Sequence, residues 1–480
     1  MTNNQLRDAL VEILGQDGVV DAPDQLIVYE CDGLTIDKNM PRAVVFPSST
    51  EQVSGVVRLL HGEQIPFVAR GAGTGLSGGS LPPDGGVMIT LTRMNEIVEI
   101  DIDNRRALVE PGVVNLHLSN AVAHLGYHYV PDPSSQYSCT IGGNIAENSG
   151  GPHTLKYGVT TNHTLGMEVV LPDGEVVWFG GKSDDAPGYD LRGLLIGSEG
   201  MLGIVTRAWV RLVKLPQSFR TFLAVFDTIE DATNTVSGMI GEGIVPAALE
   251  MIDQVVIGAV EEAFQTGFPL DAEAVLIIEL DGLEAGMESQ AERVIEVCKQ
   301  NNMRDLRATR DSKERDLIWK SRKRAFGALG RLSPSYYTQD GVVPRTRLPD
   351  IMRVIKSVQE KYDLVIGNVF HAGDGNIHPC ICYDENDPVI VTKAVDASSE
   401  ILKACIEMGG SVTGEHGIGA EKMDFMPLLF SEDDMQAMEN VKHTFDEANL
   451  CNPGKVFPTD RSCIGCGVEE LKPMKRQAAM

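Results

Sequence analysis

Apolar residues recur along this chain in two rhythms. Residues 43 to 47 (AVVFP) form a short unbroken apolar run, while residues 48 to 64 place Val53, Val56, Val57 and Leu60 at helical spacing. The first pattern predicts a buried strand and the second an amphipathic helix. Ser49 and Gln52 stand at capping-box spacing at the start of that helix. A second run, IPFVAR at 65 to 70, completes a β-α-β start, which predicts a parallel strand pair with a right-handed crossover. Further strands are expected over GVMITLTRM, IVEIDIDNRRALVEPGV and YHYVPDP, with a helix over NLHLSNAVAHLG that stops at Gly126. TLGMEVVLPDGEVVWFG reads as a hairpin around a Pro-Asp-Gly turn. From residue 221 strand and helix patterns alternate through TFLAVF, VPAALEMI, AVLIIELDG and DLRATR, which predicts a split β-α-β sheet with helices on one side.

These patterns give an α+β protein with four stretches. An N-terminal helical segment spans 1–37, a first domain 38–217, a second domain 218–400, and a mostly helical tail 401–480. At 480 residues the chain is long enough for two or three domains. Lys plus Arg number 41 against 68 Asp plus Glu, a net charge of −27, so a nucleic-acid partner is not expected. An anionic substrate would need local cations. MTNNQLRDALVEILG lacks a basic stretch followed by an apolar core, and no run approaches the ~20 apolar residues of a membrane span, so no signal peptide or transmembrane segment is expected. Nine scattered cysteines fit a reducing cytoplasm. Cys463 and Cys466 form a lone C-x-x-C, read as free thiols because a zinc or iron–sulfur site usually wants four ligands.

Three loops are dense in glycine and small polar residues. RGAGTGLSGG starts at Arg70, PDPSSQYSCTIGGNIAENSGGPHTLKYG covers 131 to 158, and IGSEGMLGIVT covers 196 to 206. Gly73, Gly75 and Gly78 match G-x-G-x-x-G, but Pro82, Pro83 and a strand follow where a Rossmann fold requires a helix. A strand–loop–strand nest of backbone N–H groups for a pyrophosphate fits instead; a flexible surface loop is the alternative for the first loop alone. Three such loops together point to one long polar cofactor. A different chemistry is suggested by NVFHAGDGNIHPCI, where His371 and His378 flank a Gly-rich reversal between two strands. With Glu415 of SVTGEHGIG, expected to be exposed between glycines beside His416, they form either a divalent-metal set or a hydrogen-bonded pair of loop histidines.

RGAGTGLSGG, IGGNIAENSGG, GSEGMLGIVT, HAGDGNIHP, GGSVTGEHGIGAEK and NPGK together resemble the FAD-linked 2-hydroxy-acid oxidoreductases of the vanillyl-alcohol oxidase superfamily, on its glycolate oxidase and D-lactate dehydrogenase branch. The likeness runs from about Tyr29 to Pro458. It implies a two-subdomain FAD-binding domain at 38–217, a ferredoxin-like substrate or cap domain at 218–400, and a C-terminal segment completing the active site. It also implies non-covalent FAD, since Ser80 follows Gly79 where some relatives carry a linking histidine.

The resemblance carries over residue by residue. The first loop would hold the FAD pyrophosphate through Arg70, Gly71, Gly73, Thr74, Gly75, Leu76, Ser77 and Gly78. Pro131, Asp132, Ser134, Thr140, Gly142, Gly143, Asn144, Ala146, Asn148, Gly151 and Tyr157 would pass the flavin and ribityl. Glu199, Gly200, Ile204 and Val205 would lie on the adenine side, and Asn452 near the flavin ring. His371, His378 and Glu415 would bind zinc or manganese, Arg322 the substrate carboxylate, and His416 would remove the hydroxyl proton before hydride passes to flavin N5. Lys320, Lys323, Arg324 and Arg331 read as a solvated helix face. Phe326, Thr338 and Cys380 occupy positions where 2-hydroxyglutarate-using relatives place polar residues, so a small acid with one carboxylate, glycolate or D-lactate, is expected. Electrons would leave to a protein or quinone acceptor, in a complex with a second flavin-type subunit and an iron–sulfur subunit at the inner face of a membrane. Two other classes stay open here: a metal-dependent hydrolase, which leaves the glycine loops unexplained, and a non-catalytic flavin-binding subunit of a larger complex.

Overall fold

The computed structural model describes residues 1–183 and 188–459; Cys463 and Cys466 lie outside them. The chain forms two compact units. Met1–Ser149, Val159–Lys214 and, among the described residues, 415–459 make the first; Gly150–Gly158 and Leu215–Gly414 make the second.

The first unit holds two sheets. In one, the parallel strands Ala43–Val45, Val87–Thr90 and Phe67–Arg70 lie side by side in that order, with Val19–Val20 antiparallel at the edge. The expected β-α-β unit therefore exists, through the helix Thr50–Gly62, but its strands are not neighbours. Val87–Thr90 sits between them, because a four-residue strand buried at every position is at home only in the sheet centre. Ser49 caps the helix by accepting from the Gln52 N–H at 3.3 Å, whereas the Gln52 amide turns to Ser48, so only half of the capping box forms. Leu6 and Leu10 of the helix Asn3–Leu14 pack into the same core. The chain returns late to close this sheet: Phe67 N–H donates to the Leu450 carbonyl and Asn452 N–H to the Phe67 carbonyl.

The other sheet is antiparallel, ordered Ile97–Asp101, Arg106–Val109, Ile204–Arg211, Thr164–Val170 and Val176–Gly180. The last two form the expected hairpin, with Gly174 at φ +88° in its turn. Of YHYVPDP only Tyr127–His128 is strand.

The second unit is one antiparallel sheet, ordered Asp305–Ala308, Ser218–Phe226, Ala274–Gly282, Ala248–Asp253, Val365–His371, Asn376–Tyr383 and Ser335–Thr338. The first four repeat the split β-α-β order, and a hairpin extends it. The helices cover both faces, not one. Leu223, Val225, Val275 and Ile277 pack under Gln254–Phe264 and the helices that carry Ile318 to Leu329, while the alternate residues Ala224, Leu276 and Ile278 are equally buried. Strands this apolar throughout need cover on both sides, which the alternation of elements alone did not convey. Residue 400 lies within the helix Pro388–Glu407. Among the described residues no helix is long and apolar enough to cross a membrane.

Candidate active site

In the first unit the three glycine-rich loops converge on one another. The loop after Phe67–Arg70 turns through Gly73 (φ +68°) and Gly78 (φ +75°), and no helix follows it. A Cβ on Gly73 would fall on the Arg70 guanidinium, and one on Gly71 would meet Thr140 Oγ1 at 2.3 Å, so the first loop packs directly on the second. Arg70 Nη1 donates to the Cys31 carbonyl at 2.8 Å. Thr140 caps the helix Ile141–Glu147, whose Asn144 accepts from Asn115 Nδ2 at 2.9 Å. Pro131 takes the other hydrogen bond of that amide. Asn148, left-handed at φ +52°, accepts from Thr161. Ile204 is core rather than loop lining.

Asn452 ties the first loop to the third. It is 1% exposed and left-handed (φ +47°), and its Nδ2 donates to the Gly79 carbonyl at 2.9 Å and the Glu199 carbonyl at 2.7 Å. Its Oδ1 is buried without a hydrogen-bond partner. The Glu199 carboxylate accepts from Ile418 N–H at 2.6 Å and Gly419 N–H at 2.7 Å. Ser77 adds a hydroxyl bond to the His416 carbonyl at 2.6 Å. The loop that carries His416 is thus held from both sides by groups of the glycine loops. Glu415 and His416 side chains are only 14% and 12% exposed, their nearest N and O atoms 4.0 Å apart, so they are half-buried rather than exposed as expected. The fixed hydrogen bonds around Gly417 to Gly419 draw this glycine-rich turn inward. Sequence reasoning missed Glu147 and Lys455 here. Burial, then the nearby Glu199, pushes the Glu147 carboxyl well above its ordinary range. Burial lowers Lys455 to about 8, and its Nζ donates to the Leu81 carbonyl at 3.0 Å.

In the second unit the histidine hairpin is Val365–His371 paired with Asn376–Tyr383, the register setting His371 opposite Asn376 and Val369 opposite His378. Diagonal positions share a face. The rings therefore meet edge to face, centroids 5.1 Å apart. Gly375, at φ +74°, makes the reversal. His371 Nδ1 lies 2.9 Å from Glu250 Oε1, and Arg322, fully buried, pairs its Nη2 with Glu250 Oε2. Arg322 Nε and Nη1 are buried without hydrogen-bond partners. The neighbouring cations Lys320 and Arg324 are exposed, and Arg331 pairs with Glu262 at the surface. His378 Nδ1 is 3.2 Å from the Gln339 carbonyl and 3.7 Å from Asp340 Oδ1. Asp340 also accepts from Asn376 Nδ2 (2.7 Å), Thr413 Oγ1 (2.6 Å) and Gly414 N–H (2.8 Å). Phe326 presents its ring to His378 at 6.0 Å, and Thr338 Oγ1 lies 3.5 Å from Cys380 Sγ.

One expected cofactor stretch falls here instead of in the first unit. Tyr157 donates to Asp281 Oδ2 at 2.6 Å, Lys156 pairs with the same carboxylate, and His153 lies 3.6 Å from Glu279. Burial and then Asp281 push the Tyr157 phenol well above its usual range. Glu250 and Asp340 were not anticipated from the sequence. The signal for Glu250 was present, a single charge inside the apolar strand AALEMI.

Two family models match the chain: an FAD binding domain over residues 41–180 and the C-terminal domain of FAD linked oxidases over residues 215–456. The chain belongs to the FAD-linked oxidases. Glycolate oxidase subunit GlcD of Escherichia coli (strain K12) is 45% identical over 449 residues, covering 94% of this chain and 90% of that one. A D-lactate dehydrogenase of Anaerostipes hadrus is 33% identical over 442 residues, covering 90% and 91%. Among solved structures, p-cresol methylhydroxylase with substrate bound superposes with a TM-score of 0.80 at 20% identity, covering 94% of this chain and 96% of that one, which establishes the vanillyl-alcohol-oxidase-type fold. This FAD-linked oxidase is an oxidoreductase that takes FAD as its cofactor. Its first unit fits that group: the glycine loop supplies backbone N–H donors beside the Arg70 guanidinium, and the orphaned Asn452 Oδ1 is a buried acceptor suited to a ring N–H or a ribityl hydroxyl.

Proposed function

We propose that this FAD-linked oxidase converts a small 2-hydroxy acid carrying one carboxylate, glycolate or D-lactate, to the 2-oxo acid. Bound FAD supplies the acceptor for the two electrons and the Cα hydrogen, and a divalent cation on the imidazoles would polarise the substrate oxygen. The observation that carries the reading is Arg322, a fully buried guanidinium beside His371 with donors still lacking partners. Glu250 balances its charge, but the donors left over on Nε and Nη1 call for an acceptor, and a guanidinium N–H matches a carboxylate oxygen. The apolar ring of Phe326 next to His378 favours an acid without a second carboxylate.

In this assignment Arg322 binds the carboxylate, and His371, His378 and Glu415 hold zinc or manganese. The donor types suit a borderline cation, since each imidazole has Nδ1 directed at an acceptor and Nε2 as its remaining ligating atom. His416 takes the hydroxyl proton, its backbone held by Ser77. The first unit serves as the FAD-binding part and the second as the substrate part. Electrons then pass to a protein or quinone acceptor through partner subunits, in keeping with a relative named as an oxidase subunit. The test is anaerobic titration of the purified yellow protein with D- and L-2-hydroxy acids. Bleaching of the visible flavin band by glycolate or D-lactate is expected; a band that no 2-hydroxy acid bleaches would refute the reading.

A further inference from the structure

We propose that Glu250 is a positioning residue that sets two functional side chains at once, the His371 imidazole and the Arg322 guanidinium. The inference rests on the roles proposed above for those two residues.

Glu250 is 1% exposed and stands between Leu249 and Met251 in the strand Ala248–Asp253, both core residues. A lone charge in such a strand is costly unless it is paired. Two of its partners, His371 and Arg322, belong to the proposed chemistry. His371 arrives from the adjacent strand, where Met251 pairs with Phe370 and Ile252 with Val369. Its Nδ1 lies 2.9 Å from Oε1 and 3.1 Å from Oε2. Arg322 arrives from the helix Ser312–Lys323 and pairs with Oε2.

The chemistry of each contact is specific. A carboxylate on Nδ1 holds the imidazole in the tautomer with its proton there, orients the ring and makes Nε2 the ligating atom with raised basicity. On Arg322 the same carboxylate supplies the counter-charge that a buried guanidinium needs, and it engages Nη2 while Nε and Nη1 stay available. One carboxylate therefore couples the metal side of the site to the acid side. A second buried glutamate of the same unit shows the contrast. Glu279 accepts from Thr221, Arg315 and Trp319, none of them a candidate site residue.

The test uses the full-length FAD-loaded protein. Zinc affinity is measured calorimetrically after metal stripping, and propionate, a monocarboxylate with no hydroxyl to oxidise, is used as an inhibitor to read the Arg322 arm. Glu250→Gln is expected to weaken zinc binding by about 10- to 100-fold and raise the propionate inhibition constant about tenfold, with FAD content unchanged. His371→Ala should move the zinc value alone, and Arg322→Ala the propionate value alone. Wild-type behaviour of Glu250→Gln in either assay overturns the proposal. Should that variant fail to fold, Glu250→Asp keeps the charge but shortens the reach. It is expected to lose zinc affinity while holding propionate inhibition within about threefold; unchanged zinc affinity would overturn the proposal equally. A wild-type protein that binds neither probe would refute the functional reading and this inference together, whereas a binding wild type matched by its variant refutes only the role of Glu250.

Discussion

Two buried glutamates, Glu199 in the first unit and Glu279 in the second, are held in opposite ways. In the first unit Glu199 accepts two backbone N–H groups of the turn after His416, and its neighbour Glu147 faces it with burial raising both pKa values. In the second unit Glu279 accepts only side-chain donors. Burial alone would raise its pKa, yet hydrogen bonds from His153 and Arg315 bring it down to about 2. Backbone donors shape a loop without adding charge, which suits a surface that must follow a long cofactor. Charged donors lock strand to helix, here Ala274–Gly282 to Ser312–Lys323. Burial is common to the two, and the donors differ: backbone N–H groups leave Glu199 raised, while the His153 and Arg315 contacts hold Glu279 low.

Four measurements sharpen or break this comparison. On the loop-built side, His416→Ala should lower kcat by about 10²- to 10⁴-fold while the visible flavin absorbance stays; an unaltered kcat would remove the proposed base. On the strand-built side, Glu279→Gln should cost about 3 kcal/mol in urea unfolding at pH 7, because the half-buried Arg315 loses its charge partner. The sign of the pH dependence follows from a folded pKa of about 2 against an ordinary 4.5. The contribution is complete above 4.5 and fades as pH falls towards 2, so wild type and variant should converge in acid. Next in size, Arg322→Lys should reduce kcat/KM for the preferred acid by about 10²-fold, mostly through KM, since an ammonium cannot reproduce the guanidinium fork. The smallest effect is expected from Asn452→Ala, which breaks the tie between two glycine loops; FAD release followed by fluorescence should show about tenfold weaker binding.

Much of this architecture was readable in the sequence. The apolar runs marked the strands, the glycine loops marked the cofactor side, and the two histidines flanking a Gly-rich turn marked a hairpin whose diagonal brings their rings together. Local pattern could not reveal partners distant in the chain. Arg322 sits in the charged helix SKERDLIWKSRK and looks no different from Lys320 until Glu250, 72 positions earlier, is placed against it. Strand order was likewise hidden: nothing local says that Val87–Thr90 slots between strands formed earlier. Nor did the run IGGNIAENSGGPHTLKYG disclose that its last residues fold with the second unit, because that depends on Asp281 and Glu279.

That last arrangement bears on how the protein is made. The polypeptide changes unit four times, at residues 150, 159, 215 and 415, and the segment Leu450 to Asn452 completes the sheet begun by Phe67. The first unit cannot finish maturing on the ribosome ahead of the second, because the segment that closes its sheet is translated after Leu215–Gly414. A fragment starting at Leu215 would lack the Gly150–Gly158 strap that Asp281 receives. Neither half is a detachable module, and gene fusions or truncations that treat residue 215 as a seam should yield insoluble material.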